Sequence, residues 1–213
     1  MTENIIFDLD GTLTNSLTGI YNSLVYSLQQ MRFNDIPEEL PAEFIGPPLQ
    51  QGFKNIFGMN EKETAMAVSY FREYYGNHGL YENLPYEGIS ELLAELASQG
   101  KHLYVATSKL EKYAWEIIKH FEFDKYIEDL TGADYAGNHS KARLIETLIN
   151  KYRLGRDESI MIGDTLFDIE GAHAAGIKCV AVGYGFDKRE ILLAGNPDYY
   201  AEDMDELGRL LLG

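Results

Sequence analysis

The sequence predicts an α/β fold, a Rossmann-like parallel sheet flanked by helices that carries a smaller, mainly helical domain inserted near its start. Two patterns predict the sheet. Short apolar runs alternate with longer segments whose apolar residues recur at helical spacing. Several of those runs end in polar side chains, as strands of an open parallel sheet do around a ligand crevice. The inserted domain is predicted by residues 15–83, which break the alternation and carry helical periodicity with no strand pattern.

The first strand is expected over 4–8, where Ile5-Ile6-Phe7 runs into Asp8-Leu9-Asp10-Gly11-Thr12. Side chains alternate along a strand, so Asp8 and Asp10 share a face if the strand continues. Paired carboxylates at the end of a buried strand suit a metal-assisted reaction. Alone the run is weak, because Asp-Gly is also an ordinary turn dipeptide.

Within the insertion, Leu17, Ile20, Tyr21, Leu24 and Leu28 mark one helix. Residues 61–75, with Tyr70, Phe71, Tyr74 and Tyr75, mark another. Ile45-Gly46-Pro47-Pro48-Leu49 reads as a rigid turn between them. A helical insertion directly after Asp10 is expected to act as a lid, the plainer alternative being a helical extension of the core. The expected division is a core of residues 1–14 and 84–213 and a cap of 15–83.

A helix is expected over 86–99, from Ile89, Leu92, Leu93 and Leu96, with Gly100 as its C-terminal cap. Strands are expected over 102–107, 127–132, 159–163 and 178–183, and a short one near 198–201. Leu144, Ile145, Leu148 and Ile149 predict a helix over 140–152. The second strand ends at Thr107-Ser108-Lys109 and the fourth at Gly163-Asp164, with Asp168 close behind. Together with Asp8, these ends point to one shared crevice.

Of the 213 residues, 45% are hydrophobic and 24% charged, which fits a packed core. The formal net charge of -16 argues against nucleic acid or an acidic membrane surface as partner. It also repels anionic substrates, so a phosphate site here must be locally positive. The single cysteine, Cys179, lies in an apolar run and reads as a buried structural thiol. With no membrane-length apolar run and no signal segment in view, a soluble cytoplasmic protein is expected. His139 and His173 lack zinc-ligand spacing. The 15 tyrosines form no stacking platform with basic residues, and Trp115 reads as helix packing.

Taken together these motifs resemble the haloacid dehalogenase superfamily of phosphohydrolases. The Asp-x-Asp-Gly-Thr signature is Asp8 to Thr12, and the hydrophobic strand ending in Thr is Leu103 to Thr107. The lone lysine at a helix start is matched by Lys141, and Gly-Asp-x-x-x-Asp by Gly163 to Asp168. The four elements stand in family order. Gly79 to Gly88 also resembles the cap-to-core junction of the phosphoglycolate phosphatase-like branch. Two departures stand out: Asn15 where many relatives carry Asp, and Ala142 where many carry Pro after the lysine.

The resemblance implies roles. Asp8 attacks phosphorus and forms an aspartyl-phosphate. Asp10 protonates the leaving group and then activates water. Magnesium is held by Asp8, the Asp10 backbone carbonyl and Asp164, with Asp168 supporting the metal's waters or Asp164. Thr107 and Lys141 contact the transferring phosphoryl group. Backbone N–H groups of Leu9 and Ser108 assist, and Lys109 and Lys54 are candidate substrate contacts. Arg32, Lys62 and Arg72 are the other basic residues considered in the cap.

The expected activity is hydrolysis of a small phosphomonoester, phosphoglycolate first, with 5′-nucleotide, sugar-phosphate or phosphotyrosine-like specificity as alternatives. A phosphosugar mutase of the same superfamily is the next reading, although Thr12 fits the hydrolase pattern better. A phospho-acceptor regulatory domain is a reading from another class, disfavoured by Asp10 and by the cap. A monomer or weak homodimer is expected.

Overall fold

The computed structural model describes residues 2–41, 44–45, 48–134 and 140–213. In chain order its strands are β1 (Asn4–Phe7), β2 (Thr14–Asn15), β3 (Leu84–Pro85), β4 (His102–Leu110), β5 (Ile127–Ala133), β6 (Ser159–Gly163), β7 (Lys178–Val182) and β8 (Tyr199–Ala201). Its helices are α1 (Leu17–Gln30), α2 (Leu49–Phe57), α3 (Glu61–Tyr74), α4 (Ile89–Ser98), α5 (Glu111–His120), α6 (Lys141–Tyr152), α7 (Leu166–Ala174), α8 (Arg189–Ala194) and α9 (Met204–Leu212). Gly46, Pro47 and His139, on which sequence readings fall, lie outside the described residues.

Six strands form one sheet in the order β5-β4-β1-β6-β7-β8, with every neighbouring pair parallel. β2 and β3 pair as a separate ribbon. The sheet is the α/β architecture expected of the sequence. β1 sits between β4 and β6, and the chain visits β4 and β5 on one side before returning to build β6, β7 and β8 on the other. Such a reversal opens a crevice at the strands' carboxyl ends.

Burial explains why these runs form strands. Ile5, Ile6, Phe7, Val105, Met161 and Ile162 are all fully buried, as near-continuous apolar runs in a two-sided sheet must be. Ile6, Tyr104, Ala106, Met161, Cys179 and Ala181 pack with Leu144, Leu148, Ile169 and Ala172 from α6 and α7. Alternate strand residues such as Ile5, Phe7 and Val105 point to the opposite face.

The chain divides into two compact units, one comprising the residues up to Asn15 and Pro85–Gly213, the other Ser16–Leu84. The second unit holds α1 to α3 and a π-helical turn, Tyr75–Gly79. Its interior is aromatic: Phe44, Phe53 and Phe71 pack within 6.4 Å of one another, and Phe71 stacks on Tyr75 at 5.8 Å. The helix read from Leu17 to Leu28 is α1, and that read over 61–75 is α3, opened by an Asn60–Glu63 capping box.

Three departures from expectation go beyond a shift of one residue. β4 continues to Leu110, because backbone pairing with β5 resumes at Leu110–Ala133 past an irregularity after Thr107. Helix α4 starts at Ile89 rather than 86: the Tyr86 N–H donates to the Leu13 carbonyl, and Gly88 takes a left-handed φ of 83°. The insertion, read as strandless, ends at β3. At the other end of α4, Gly100 adopts φ 78° and the Lys101 N–H returns to Leu96 O, as expected of a glycine cap.

Candidate active site

Strand register builds the site. Phe7 lies level with Val105 on β4 and Ile162 on β6. The next residues of the three strands therefore emerge side by side: Asp8, then Ala106-Thr107, then Gly163-Asp164. The Asp8 N–H donates to Ile162 O at 2.8 Å, so Asp8 is locked to the sheet edge.

Lys141 is the first residue of α6, behind an N-cap in which Ser140 Oγ accepts from the Arg143 N–H. Its ammonium lies 2.9 Å from Asp8 Oδ1 and 2.8 Å from Asp168 Oδ1, and donates to Ala106 O at 3.0 Å. Those three partners match the three protons of an ammonium. Burial works to neutralise this lysine, but Asp168 and Asp8 outweigh it and hold its pKa above the usual range. Read by itself in the sequence Lys141 is a solvated helix lysine; its side chain is only 4% exposed. Ala142 in place of Pro does not displace it.

Asp164 is fully buried and held from two sides. The Thr12 hydroxyl donates to its Oδ1 and the Phe186 N–H to its Oδ2, each at 2.9 Å. Gly11 makes this approach feasible: its φ is 88°, and a Cβ there would stand 2.0 Å from Asp164 Oδ2. Burial, reinforced by Asp168 and Asp8, pushes the Asp164 carboxyl well above its ordinary value. Burial likewise raises Asp8, against the pull of Lys141 and with help from Asp168 and Asp10, to about 6.

Asp168 is committed on both oxygens. Oδ2 accepts from the Thr165 N–H at 3.0 Å and the Thr165 hydroxyl at 2.7 Å, while Oδ1 meets Lys141. It sits in the first turn of α7, where the helix dipole favours an acid.

Asp10 Oδ2 lies 2.9 Å from Lys109 Nζ. Thr107 is buried, and its Oγ1 accepts from the Lys109 N–H at 3.2 Å. Ser108 is exposed beside it and Leu9 is buried. Lys54 belongs to the helical unit, on α2, where its ammonium pairs with Glu61 at 2.5 Å. The structure therefore brings Asp8, Asp164, Asp168 and Lys141 into direct proximity and joins Asp10 to Lys109, while Lys54 pairs with Glu61 inside the helical unit.

Carboxylate oxygens of Asp8, Asp164 and Asp168 lie within 4.8 Å of one another. Three buried acids face one ammonium: burial raises Asp8 and Asp164 first, and the neighbouring carboxylates add to it. An all-oxygen cluster of this kind fits a hard divalent cation. Each of these carboxylates is already engaged by protein groups, and each keeps further lone pairs that an ion could use.

Sequence reasoning gave no role to the supports around these acids. Thr12 was visible in the first motif, yet nothing in the chain links it to Asp164, 152 positions away. Phe186 acts through its backbone, in a loop whose only signal was Gly183-Tyr184-Gly185 after an apolar run. Tyr184 donates to Thr12 O at 3.2 Å and packs on Tyr86, ring centroids 4.8 Å apart. Cys179 is buried as expected, and burial keeps its thiol pKa high. His173 faces Asp198 at 3.3 Å, and Trp115 packs beneath Lys119.

Residues 5–182 match the family model described as haloacid dehalogenase-like hydrolase. The chain belongs to that family. It is 39% identical over 209 residues to a 5′-nucleotidase of Pseudomonas aeruginosa, covering 98% of this chain and 95% of that one. A phosphoglycolate phosphatase of Vibrio parahaemolyticus is 27% identical, covering 95% of this chain and 93% of its own. Among solved structures, a predicted phosphatase from Clostridium acetobutylicum superposes with a TM-score of 0.92 at 33% identity, covering 100% of this chain and 99% of that one. Family and relatives make this protein a hydrolase of the phosphatase type. Among the described residues, no helix is long and apolar enough to cross a membrane.

Proposed function

We propose that this hydrolase cleaves a small phosphomonoester through an aspartyl-phosphate on Asp8, with magnesium as cofactor. The observation that carries the reading is the Asp8 carboxylate at the end of the central strand, 2.9 Å from the buried Lys141 ammonium and beside Asp164. A carboxylate is an adequate nucleophile toward phosphorus when its product is a labile acyl phosphate.

Asp8, Asp164 and the Asp10 backbone carbonyl would hold the ion. Bound there, a divalent cation neutralises carboxylate and phosphate charge and polarises the phosphoryl oxygens. The protein's own residues supply the rest. An Asp8 oxygen bonds to phosphorus as the ester P–O bond breaks, and the bonding pair stays on the leaving oxygen. Asp10 gives that oxygen a proton. Asp10 then takes a proton from water as its oxygen bonds to phosphorus; the Asp8–phosphorus bond breaks and releases phosphate. Lys141 and the Thr107 hydroxyl are placed to stabilise charge on the transferring group, without reorganising during the step. Asp168 orients Lys141. The helical unit enters the chain directly after Asp10, which supports reading it as a cap that shields the site from water.

For the substrate, the 39% relative named a 5′-nucleotidase favours a nucleoside 5′-monophosphate. Phosphoglycolate is the second reading, from the more distant relative of that name. Lys54, the cation proposed to meet its carboxylate, pairs with Glu61 across an exposed 2.5 Å contact.

The test is phosphate release from a panel of nucleoside monophosphates, phosphoglycolate and sugar phosphates, with magnesium and with chelator. Magnesium-dependent release that disappears in Asp8→Asn is expected. Turnover retained in that variant removes Asp8 as nucleophile. Phosphate held on the protein without release, or moved between sugar hydroxyls, favours the acceptor or mutase reading.

A further inference from the structure

Lys109 is a candidate substrate contact in the sequence. In the structure its ammonium lies 2.9 Å from Oδ2 of Asp10, and its side chain is 7% exposed against 17% for that of Asp10. The other Asp10 oxygen, Oδ1, is buried and makes no hydrogen bond among the described residues. The two oxygens of one carboxylate are thus in unlike surroundings, one against a cation and one buried without a hydrogen-bond partner among the described residues.

The placement comes from the backbone. The β4–β5 pairing is interrupted between Thr107 and Leu110, and the Lys109 N–H folds back to Thr107 Oγ1 at 3.2 Å. A regular strand would alternate Thr107 and Lys109 onto one face in fixed steps. The irregularity re-aims Lys109, as such interruptions do beside active sites.

We propose that Lys109 is a positioning residue that anchors Asp10 Oδ2, so that Oδ1 is the atom that exchanges the proton. This rests on the proposed role of Asp10 above. With Oδ2 held against the ammonium, Oδ1 is the oxygen without a protein partner among the described residues and the one assigned to proton exchange. As Asp8 displaces the ester, the Oδ1 proton passes to the leaving oxygen, which keeps the P–O electron pair and departs as a neutral alcohol. In the second step Oδ1 accepts a proton from the attacking water. Lys109 itself gains and loses nothing.

An anchor of this kind matters in proportion to how badly the leaving group needs a proton. The experiment compares kcat/KM for a nucleoside 5′-monophosphate, whose alkoxide must be protonated, with that for 4-nitrophenyl phosphate, whose phenolate leaves unaided. Both values report steps up to formation of the aspartyl-phosphate. Lys109→Met is expected to lower the nucleotide value by about 100-fold, the scale of a misplaced catalytic group. The 4-nitrophenyl value should stay within about threefold, since the catalytic factor of roughly 10²–10⁴ from proton transfer is not in play there. Lys109→Arg should restore most of the nucleotide rate.

Equal losses on the two esters with a raised KM would make Lys109 a substrate contact and overturn the proposal. Equal losses in kcat alone would make it merely structural, and no loss on either would leave it without a role. If Lys109→Met does not fold, Lys109→Gln gives the same comparison. Asp8→Asn, run alongside, separates the two levels: if it still turns over both esters, the mechanism fails, whatever Lys109 does.

Discussion

The Thr12 hydroxyl donates to Oδ1 of Asp164 at 2.9 Å, tying the loop after β1 to the end of β6. Asp164 then needs no rearrangement to present its remaining lone pairs. Thr12→Val keeps the shape and removes the donor, leaving the Phe186 N–H on that carboxylate. Outer hydrogen bonds to metal ligands typically contribute 10–100-fold in affinity. The magnesium concentration for half-maximal turnover should rise by roughly that factor, with kcat at saturation less affected. An unchanged magnesium requirement would mean that Asp164 is not a ligand.

Lys141 balances two buried carboxylates, so its removal leaves both uncompensated. Breaking a buried pair by deleting one partner costs about 3–5 kcal/mol. Lys141→Met should therefore lower the unfolding free energy of the metal-free protein by about 3 kcal/mol at pH 8, read by urea denaturation. The loss should shrink at pH 5, because Asp8, already raised to about 6, moves higher still without Lys141 and escapes by taking a proton. Equal losses at the two pH values would contradict that assignment.

Asp8 also sets a sign for magnesium. Its folded pKa of about 6 lies above the ordinary 3.8, so in metal-free protein the group favours folding below 3.8, and that contribution is lost as pH rises through about 6. A cation reverses this by binding the ionised form. The increase in melting temperature on adding magnesium should be large at pH 8 and fade as pH falls below about 6. Asp8→Asn should melt higher than wild type at pH 8 without metal, and gain little from magnesium. A magnesium effect independent of pH would argue for a site elsewhere.

Gly171 offers a contest between two effects. In a helix interior Gly→Ala usually stabilises by roughly 0.5–1 kcal/mol. Here a Cβ would stand 2.6 Å from Lys141 Cβ and 2.7 Å from its Cγ, at the rigid base of that side chain. Overpacking costs about 1–3 kcal/mol, so strain should win. Gly171→Ala should melt lower and lose turnover through a displaced Lys141. A higher melting temperature with normal turnover would show that α6 and α7 separate without strain.

By itself the sequence determined the six strands of the main sheet, two of the helices that flank it, and the acids at the strand ends. It could do so because those features are local: apolar periodicity sets each element, and Asp8, Asp10 and Asp164 follow directly from where apolar runs stop. Lys141 was legible only through its family resemblance, since nothing local distinguishes it from a solvated lysine. Tertiary structure alone decided which groups meet. The parallel register of β1 with β4 and β6 sets Asp8 level with Ala106 and Gly163, each one residue before Thr107 and Asp164. Helix α6 then delivers Lys141 to two carboxylates, and an interrupted strand turns Lys109 onto Asp10. Contacts across so many residues depend on how the layers pack, and that information is spread over the whole core rather than held at any one position.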